Sequence, residues 1–204
     1  MHSLLKIQNL GISFGRKTVL SDISFDVKKK EMVNIFGANG SGKTSLIKAI
    51  CGVLLPERGN INRNSRISSV ISSVRGFYPK LTVKENIEFF MKVAGHKISN
   101  EDILQILGDY GISGLMDTEF QALSAGEKHK SRLGMAFLSP SELIVLDEPF
   151  RGLDNKSSET VLRHILEKCR NGGAVLYSSH AYSGMADKEY KLEESFLKKR
   201  EAGA

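Results

Sequence analysis

The stretch of sequence that decides the fold reads Gly37-Ala38-Asn39-Gly40-Ser41-Gly42-Lys43-Thr44. It matches the pattern G-x-x-x-x-G-K-[ST] at every specified position, and this pattern is typical of a loop that binds phosphate groups. The glycines let successive backbone N–H groups close on phosphate oxygens, and the N-terminus of a following helix adds positive potential. We call residues 37–44 the phosphate loop.

The sequence around the phosphate loop has the context that such a loop needs. An apolar run, Met32–Phe36, predicts a buried strand before it, and apolar residues at near-helical spacing predict a helix after it. Without that context an ordinary glycine-rich turn would remain the alternative. We expect Lys43 to reach the β- and γ-phosphates and the Thr44 hydroxyl to ligate Mg²⁺. Ser45, the next residue, is assigned with the loop to nucleotide binding.

A second motif lies about one hundred residues downstream, where an apolar strand candidate ends in two carboxylates, Asp147 and Glu148. Asp147 can hold Mg²⁺ through water beside Thr44. Glu148 can polarise a water that attacks the γ-phosphate. Two acids that merely cap a strand are the alternative. A GTPase is disfavoured, because the only Asn-Lys pair, Asn155-Lys156, lacks the Asp that would read guanine.

Patterns on either side predict the architecture. Apolar and polar residues alternate over 4–14 and 19–27, as in strands of an antiparallel sheet. Two further buried-strand candidates, 142–146 and 174–177, flank a predicted helix over 157–168. A strand, helix and strand at that spacing predict a parallel sheet with a right-handed crossover.

Two other regions follow different patterns. Apolar residues recur at steps of three to four from about 81 to 115, which predicts an all-helical insert between two α/β halves. The tail after Lys188 is rich in charge, and we expect a short helix or a frayed end there.

Composition narrows the function classes. The chain has 204 residues, of which 41% are hydrophobic, so it can bury a core and is not disordered overall. Its two cysteines are too few for a disulfide framework and suit a reducing compartment. No apolar run has the length of a signal peptide core or a membrane span. The net charge of +6 permits nucleic acid as a neighbour without indicating it, and no nucleic acid is expected.

A third motif, Leu123-Ser124-Ala125-Gly126-Glu127, resembles the LSGGQ signature of ATP-binding cassette (ABC) ATPases. A serine hydroxyl, small residues and a helix N-terminus form a second anion-binding surface. The resemblance implies that residues 124–127 contact the γ-phosphate of ATP bound to an opposing subunit. Two positions depart mildly from the signature, since Ala125 replaces a glycine and Glu127 replaces the glutamine.

The resemblance extends over nearly the whole chain. Phe14 stands where the family places an aromatic residue that stacks on adenine, with a strand core residue as the alternative. The segment Gly152-Leu153-Asp154 resembles the D-loop, which implies that Asp154 lies at a dimer interface. His180 matches the switch histidine that contacts the γ-phosphate.

One departure from the family concerns the loop before the helical insert. The family has a glutamine there, which touches Mg²⁺ and the attacking water. The corresponding position falls at or near Ser73, within Ser72-Ser73-Val74-Arg75, and this stretch has no glutamine. Serine is too short to replace the amide directly, so a water would have to intervene. Slow hydrolysis or altered coupling is the expected consequence, with nucleotide binding retained.

The resemblance implies a P-loop NTPase fold of the α/β class, with a RecA-like parallel core, an N-terminal antiparallel β subdomain and an inserted helical subdomain. We expect residues 1–204 to form one ABC ATPase domain. Its α/β core would take 1–75 and 139–204, and the helical subdomain would take 76–138.

The resemblance also implies an ATPase that uses ATP and Mg²⁺ to power a separate transmembrane permease subunit. Two cassettes, as a homodimer or a paired cassette, would enclose ATP at their interface on the cytoplasmic face of the membrane. The segment 75–86 looks like that of exporter-associated cassettes. A soluble ABC ATPase that drives macromolecular assembly remains the alternative, and the transported substrate is not encoded in these motifs.

Overall fold

The computed structural model describes residues 3–71 and 76–200. The strands in this part of the chain are β1 (Ser3–Phe14), β2 (Lys17–Lys28), β3 (Met32–Phe36), β4 (Arg58–Arg63), β5 (Ile67–Val70), β6 (Leu143–Leu146), β7 (Ala174–Ser179), β8 (Lys188–Glu193) and β9 (Phe196–Arg200). The helices are α1 (Lys43–Ile50), α2 (Val83–Val93), α3 (Asn100–Asp109), α4 (Ala125–Leu138) and α5 (Asn155–Arg170). None of these helices has the length and apolar character that crossing a membrane requires.

The N-terminal strands form an antiparallel sheet in the order β2-β1-β4. This confirms the prediction from alternation over 4–14 and 19–27. The inward residues of β1 and β2, such as Leu5 and Ile23, are fully buried. Strand β4 was not predicted, because its residues are almost all exposed and carry no apolar pattern.

The second sheet has six strands in the order β5-β6-β7-β3-β8-β9. All neighbours pair in parallel except β8 and β9. The central strands β3 and β6 are buried along their whole length, as expected for parallel strands covered on both faces. The predicted parallel pairing of 142–146 with 174–177 is confirmed by β6 and β7.

The expectation for the tail was wrong, because residues after Lys188 form the hairpin β8–β9. Tyr190 and Leu192 alternate with polar residues and are only 8% and 1% exposed. Strand β8 therefore has a buried apolar face, which the high charge of the tail made hard to recognise in the sequence. Glu194 and Ser195 form the two-residue turn, both with positive φ. Two-residue turns of this kind match the twist of a hairpin. They are usually recognised in a sequence by Asn-Gly or Asp-Gly, and this turn has neither pair.

The chain forms two compact units. The first comprises Met1–Ile71, Ser141–Pro149 and Ile165–Ala204, and the second comprises Ser72–Pro140 and Phe150–His164. The first contains both sheets and α1. The boundaries that we expected for an α/β core and a helical subdomain remain a prediction.

The second unit contains α2, α3 and α4, which agrees with the helical pattern over 81–115. Each of these helices begins with a capping box, in which a Ser or Thr side chain accepts the N–H of the acidic residue three positions later. The acidic side chain accepts the N–H of the cap in return, so two backbone donors are satisfied at each helix start. The fold class is therefore the α/β class with a parallel core, an antiparallel sheet and a helical part, as the motifs implied.

Candidate functional site

The phosphate loop connects the end of β3 to the start of α1. Gly42 has a φ of 107°, a conformation that side chains disfavour, and a Cβ there would come within 2.9 Å of Leu20 Cδ2. A Cβ on Gly37 would collide with the carbonyl oxygen of Leu192. Both glycines are therefore required by the path of the backbone, which wraps closely over the side chain of Lys43.

The Lys43 ammonium points into the loop. Its Nζ donates to the carbonyl oxygens of Gly37 at 2.7 Å and Ala38 at 3.0 Å. Burial lowers the pKa of Lys43, while the charges of Glu148 and Asp147 oppose that shift. The lysine is 5% exposed, so its charge acts in a partly desolvated place where attraction to an anion is strong.

The start of α1 fits a phosphate group. Its cap, Gly42, has no side chain to accept the N–H groups of the first helical turn. The Ser41 hydroxyl oxygen is buried and has no hydrogen-bond partner within the part of the chain that the structure describes. The first N–H groups of α1 and the Ser41 hydroxyl therefore lie at one helix start, where an anion would accept hydrogen bonds from them.

The residues assigned to Mg²⁺ lie together. Thr44 Oγ1 is 3.1 Å from one carboxylate oxygen of Asp147 and 3.3 Å from the other. Asp147 is buried at 1% exposure at the end of β6. One hydroxyl and one carboxylate fit a magnesium ion that keeps several waters and takes phosphate oxygens as further ligands. Within the described residues no cluster of three His, Cys, Asp or Glu side chains forms a cage of protein ligands alone.

The assigned general base and the switch histidine also lie together. His180 Nε2 is 3.4 Å from Glu148 Oε1, and the histidine is half exposed while the glutamate is 11% exposed. Glu148 has a φ of 52°, in the left-handed region that non-glycine residues seldom adopt, and it directly follows Asp147 at the end of β6. The histidine on the end of β7 and the two acids on the end of β6 therefore share one edge of the parallel sheet.

One site residue was missed by the sequence reasoning. The hydroxyl of Ser178, fully buried on β7, donates to Asp147 Oδ1 and accepts the backbone N–H of Glu148, each at 2.9 Å. The available signal was its place near the carboxyl end of a strand predicted to lie parallel to the one carrying Asp147. Such neighbouring strand ends meet at the same edge of a sheet.

Phe14 is the last residue of β1 and is 54% exposed. A strand core residue, the alternative considered for it, is therefore excluded. An exposed aromatic ring on a hairpin is available for stacking, and its contact with adenine stays a prediction.

The residues of the third motif belong to the second unit, whereas the phosphate loop belongs to the first. Ser124 caps α4, with its hydroxyl 2.7 Å from Glu127 Oε2 and its N–H donating to the same oxygen at 2.8 Å. These hydrogen bonds hold the pKa of Glu127 below its usual value. Ala125 and Gly126 form the first turn of α4. The residues at the start of α4 are small and exposed, but the Glu127 carboxylate already accepts hydrogen bonds at this position.

Asp154 caps the start of α5 rather than standing free. Its Oδ1 accepts the N–H of Ser157 at 2.7 Å, and its Oδ2 pairs with Lys130 Nζ on α4 at 3.0 Å. These contacts tie the D-loop to the signature helix within the second unit. Ser73, the position of the missing glutamine, lies outside the described residues.

Fold and site together define a nucleotide-binding domain of the P-loop class. A family model described as "ABC transporter" matches residues 20–151. A relative from Histophilus somni, the "cytochrome c biogenesis ATP-binding export protein CcmA", is 31% identical over 86% of this chain and 86% of its own. The "linearmycin resistance ATP-binding protein LnrL" of Bacillus subtilis is 28% identical over 87% of this chain and 61% of its own length.

A solved structure described as the "ATP binding subunit of ABC transporter" is similar with a TM-score of 0.85 and 26% identity, over 96% of this chain and 88% of that chain. The chain therefore belongs to the ABC transporter family, as an ATP-binding component that hydrolyses ATP. The resemblance drawn from the motifs is confirmed, and so is the ATPase activity that it implied.

Proposed function

We propose that this chain is the ATPase subunit of an exporter and acts on a separate membrane subunit that provides the pathway. The observation that carries the proposal is the 31% identity, over 86% of both chains, with a protein named for export. The match to a resistance protein along 87% of this chain supports the same direction.

The geometry suggests how the residues of the first unit would divide the work of hydrolysis. Lys43 would exchange its two carbonyl acceptors for phosphate oxygens, and Thr44 with Asp147 would hold the Mg²⁺ ion. That ion would neutralise charge on the β- and γ-phosphates. Glu148 would accept a proton from the attacking water while His180, 3.4 Å away, contacts the γ-phosphate. Water would add to the γ-phosphorus as the bond to ADP breaks, giving ADP and phosphate.

The second unit would serve the partner cassette. In this proposal the start of α4, from Ser124 to Glu127, closes on the γ-phosphate of ATP bound by another copy. The ion pair between Lys130 and Asp154 would couple a movement of α4 to the D-loop. The Glu127 carboxylate would then approach a phosphate of like charge. Closure would therefore require Ser124 to break its hydrogen bonds with Glu127, or Ser124 and Glu127 to shift together.

An apolar surface on the second unit supports a protein partner. Tyr78 and Phe89, which are 49% and 41% exposed, contact each other edge to face at a ring separation of 5.1 Å. They line a cleft of about 580 Å³ with Pro79 and Leu81. The fully buried Asn86 holds the segment in place through four hydrogen bonds to backbone groups of residues 78–82. A rigid apolar cleft fits an amphipathic segment of a membrane protein.

The test is reconstitution. The chain would be purified from membranes with the integral membrane protein that accompanies it, and the pair would be placed in proteoliposomes. We expect the membrane subunit to raise ATP turnover severalfold. Phe89→Ala should lower this stimulation, the ratio of turnover with the membrane subunit to turnover without it. Val93→Ala, at a 70% exposed position on the same helix, is the matched control and should keep the ratio. The alternative function is a soluble ATPase that drives macromolecular assembly. It would be favoured if no membrane subunit changed the ATP turnover and the chain were found instead in a large soluble assembly.

A further inference from the structure

The carboxylate of Glu189 on β8 is a buried charged group outside the assigned site. It is 4% exposed and accepts four hydrogen bonds. Oε1 accepts from the Ser183 hydroxyl at 2.6 Å and from the Gly184 N–H at 2.8 Å. Oε2 accepts from Asn34 Nδ2 at 3.0 Å and from the Ser183 N–H at 3.2 Å.

The four donors are all uncharged, and no ion pair to Glu189 occurs among the described residues. Four bonds fill the acceptor capacity of a carboxylate, and such bonds are the strong kind because the acceptor is charged. A buried charge is costly unless every lone pair is satisfied. Three of the four donors come from two consecutive residues of one loop, so the carboxylate fixes that loop against the sheet.

The fourth donor extends the cluster to the residues on both sides of His180. Asn34 is fully buried on the central strand β3, where it lies beside Glu189 in the parallel register. Its Oδ1 accepts the Ser179 hydroxyl at 2.9 Å. That hydroxyl is also 2.7 Å from the carbonyl oxygen of Ala181. Ser179 and Ala181 are the neighbours of His180 in the chain.

The same cluster reaches the phosphate loop. The N–H of Gly37 donates to the carbonyl oxygen of Ser179 at 3.3 Å. Asn34 stands three residues before Gly37 on the strand that leads into the loop. The backbone on each side of His180 is therefore tied to the strand that carries the phosphate loop, while the His180 side chain stays half exposed.

We propose that Glu189 is a positioning residue for His180: through Ser183, Gly184 and Asn34 it holds the segment 179–184 so that the imidazole stays beside Glu148. The proposal rests on the proposed role of His180 in hydrolysis. The reason that turnover should depend on it is geometric, since a displacement of about 1 Å at a reacting group can cost a hundredfold in rate.

The experiment is a double-mutant cycle between Glu189→Gln and His180→Ala, with kcat, KM and unfolding free energy measured for each protein. The glutamine has the same shape, but its NH₂ group cannot accept a hydrogen bond, so the backbone N–H of either Ser183 or Gly184 must lose its acceptor. We expect kcat to fall about tenfold to a hundredfold in the otherwise normal protein, with KM for ATP little changed. In the His180→Ala background the same substitution should change kcat less than about twofold, because coupled residues are not additive.

Asp187→Asn is the matched control. Asp187 also lies close to β8, and it accepts the N–H of Met32 at 2.8 Å without a bond to the 181–184 loop among the described contacts. Asp187→Asn should lower the unfolding free energy and leave kcat within about twofold of the wild-type value. If Glu189→Gln does not fold, Ser183→Ala removes one donor and is expected to lower kcat about fivefold, again only when His180 is present.

The outcomes separate the two proposals. Amide exchange at Ser183 and Gly184 should quicken in Glu189→Gln, and wild-type exchange there would overturn the positioning role alone. An equal fall in kcat with and without His180 would likewise overturn it. Wild-type kcat in His180→Ala would instead overturn the role of His180, on which the proposal rests, whatever the exchange data show.

Discussion

The hydroxyl of Ser178 donates a hydrogen bond of 2.9 Å to Oδ1 of Asp147. The same hydroxyl oxygen accepts the backbone N–H of Glu148, also at 2.9 Å. A single buried side chain on β7 therefore orients the assigned metal ligand and fixes the backbone of the assigned general base. Asp147 contacts Thr44 and Glu148 lies beside His180, so this one hydroxyl connects the two consecutive acids of the site.

Removing that hydroxyl should impair turnover more than nucleotide binding. Ser178→Ala takes away the acceptor of the buried Glu148 N–H and one of the donors to Asp147 Oδ1, and losing such a buried partner costs about 1–3 kcal/mol. We expect kcat to fall about tenfold, measured by phosphate release under saturating ATP. Ser68→Ala, at a buried serine on β5, which pairs with β6 on the side opposite β7, is the control. Equal effects of the two substitutions would mean that Ser178 acts only on stability.

Lys43→Ala should abolish ATP binding or turnover. The lysine supplies the only full charge in the phosphate loop, and its ammonium already lies among the loop carbonyls. Titration with a fluorescent ATP analogue measures the loss of affinity. Lys48→Ala, which removes a charge from the last turn of α1, serves as the control. Wild-type affinity and hydrolysis in Lys43→Ala would show that this loop is not the nucleotide site.

Glu148→Gln should separate binding from hydrolysis. The amide has nearly the shape of the carboxylate but cannot take a proton, so turnover should fall about 10²–10⁴-fold. Lys43 and Asp147 remain, so ATP still binds. If a second copy closes on the γ-phosphate, the variant should elute as a dimer with Mg-ATP and as a monomer with ADP. A variant that binds ATP without hydrolysis and stays monomeric at tens of micromolar would contradict the sandwich.

Glu127→Gln tests whether the carboxylate at the start of α4 opposes dimer formation. The amide oxygen can still accept the bonds from Ser124, so the capping box survives while one negative charge disappears. We expect ATP-dependent dimers, measured by sedimentation in the Glu148→Gln background, to form at lower protein concentration. Glu119→Gln, outside the motif, controls for net charge. An unchanged or weaker dimer would show that the Glu127 charge does not oppose closure.

Acid stability should depend on Asp109. Burial opposes ionisation of this carboxyl, but hydrogen bonds from Arg163 and His164 outweigh it and hold the pKa of Asp109 below its usual value. A depressed pKa means stability that is present above the unfolded-state value and is lost as pH falls through the folded-state value. Wild type should therefore exceed Asp109→Asn in unfolding free energy at pH 7.

The stability difference between wild type and Asp109→Asn should shrink as the pH falls below about 4. Urea unfolding at several pH values measures it, and Asp117→Asn provides a carboxylate control in the same unit. A difference independent of pH would mean that Asp109 acts through packing or neutral hydrogen bonds.

The motifs were readable because their chemistry is local. Eight consecutive residues specify the turn, the helix start and the lysine of the phosphate loop, and alternation or helical spacing specifies which faces of the nearby elements are buried. The family follows from the order of such segments. Even the capping box of Ser124 and Glu127 lies within four residues of sequence.

What only the tertiary structure decided lies in contacts between residues far apart in the chain. Ser178 meets Asp147 because the carboxyl ends of β6 and β7 lie side by side, and Asn34 meets Glu189 across 155 positions. The hairpin β8–β9 was missed for the same reason: its buried residues are few, and β8 becomes a strand through pairing with β3. Local sequence sets the propensity of a segment, but a buried polar group is satisfied only when the fold brings its partner to it.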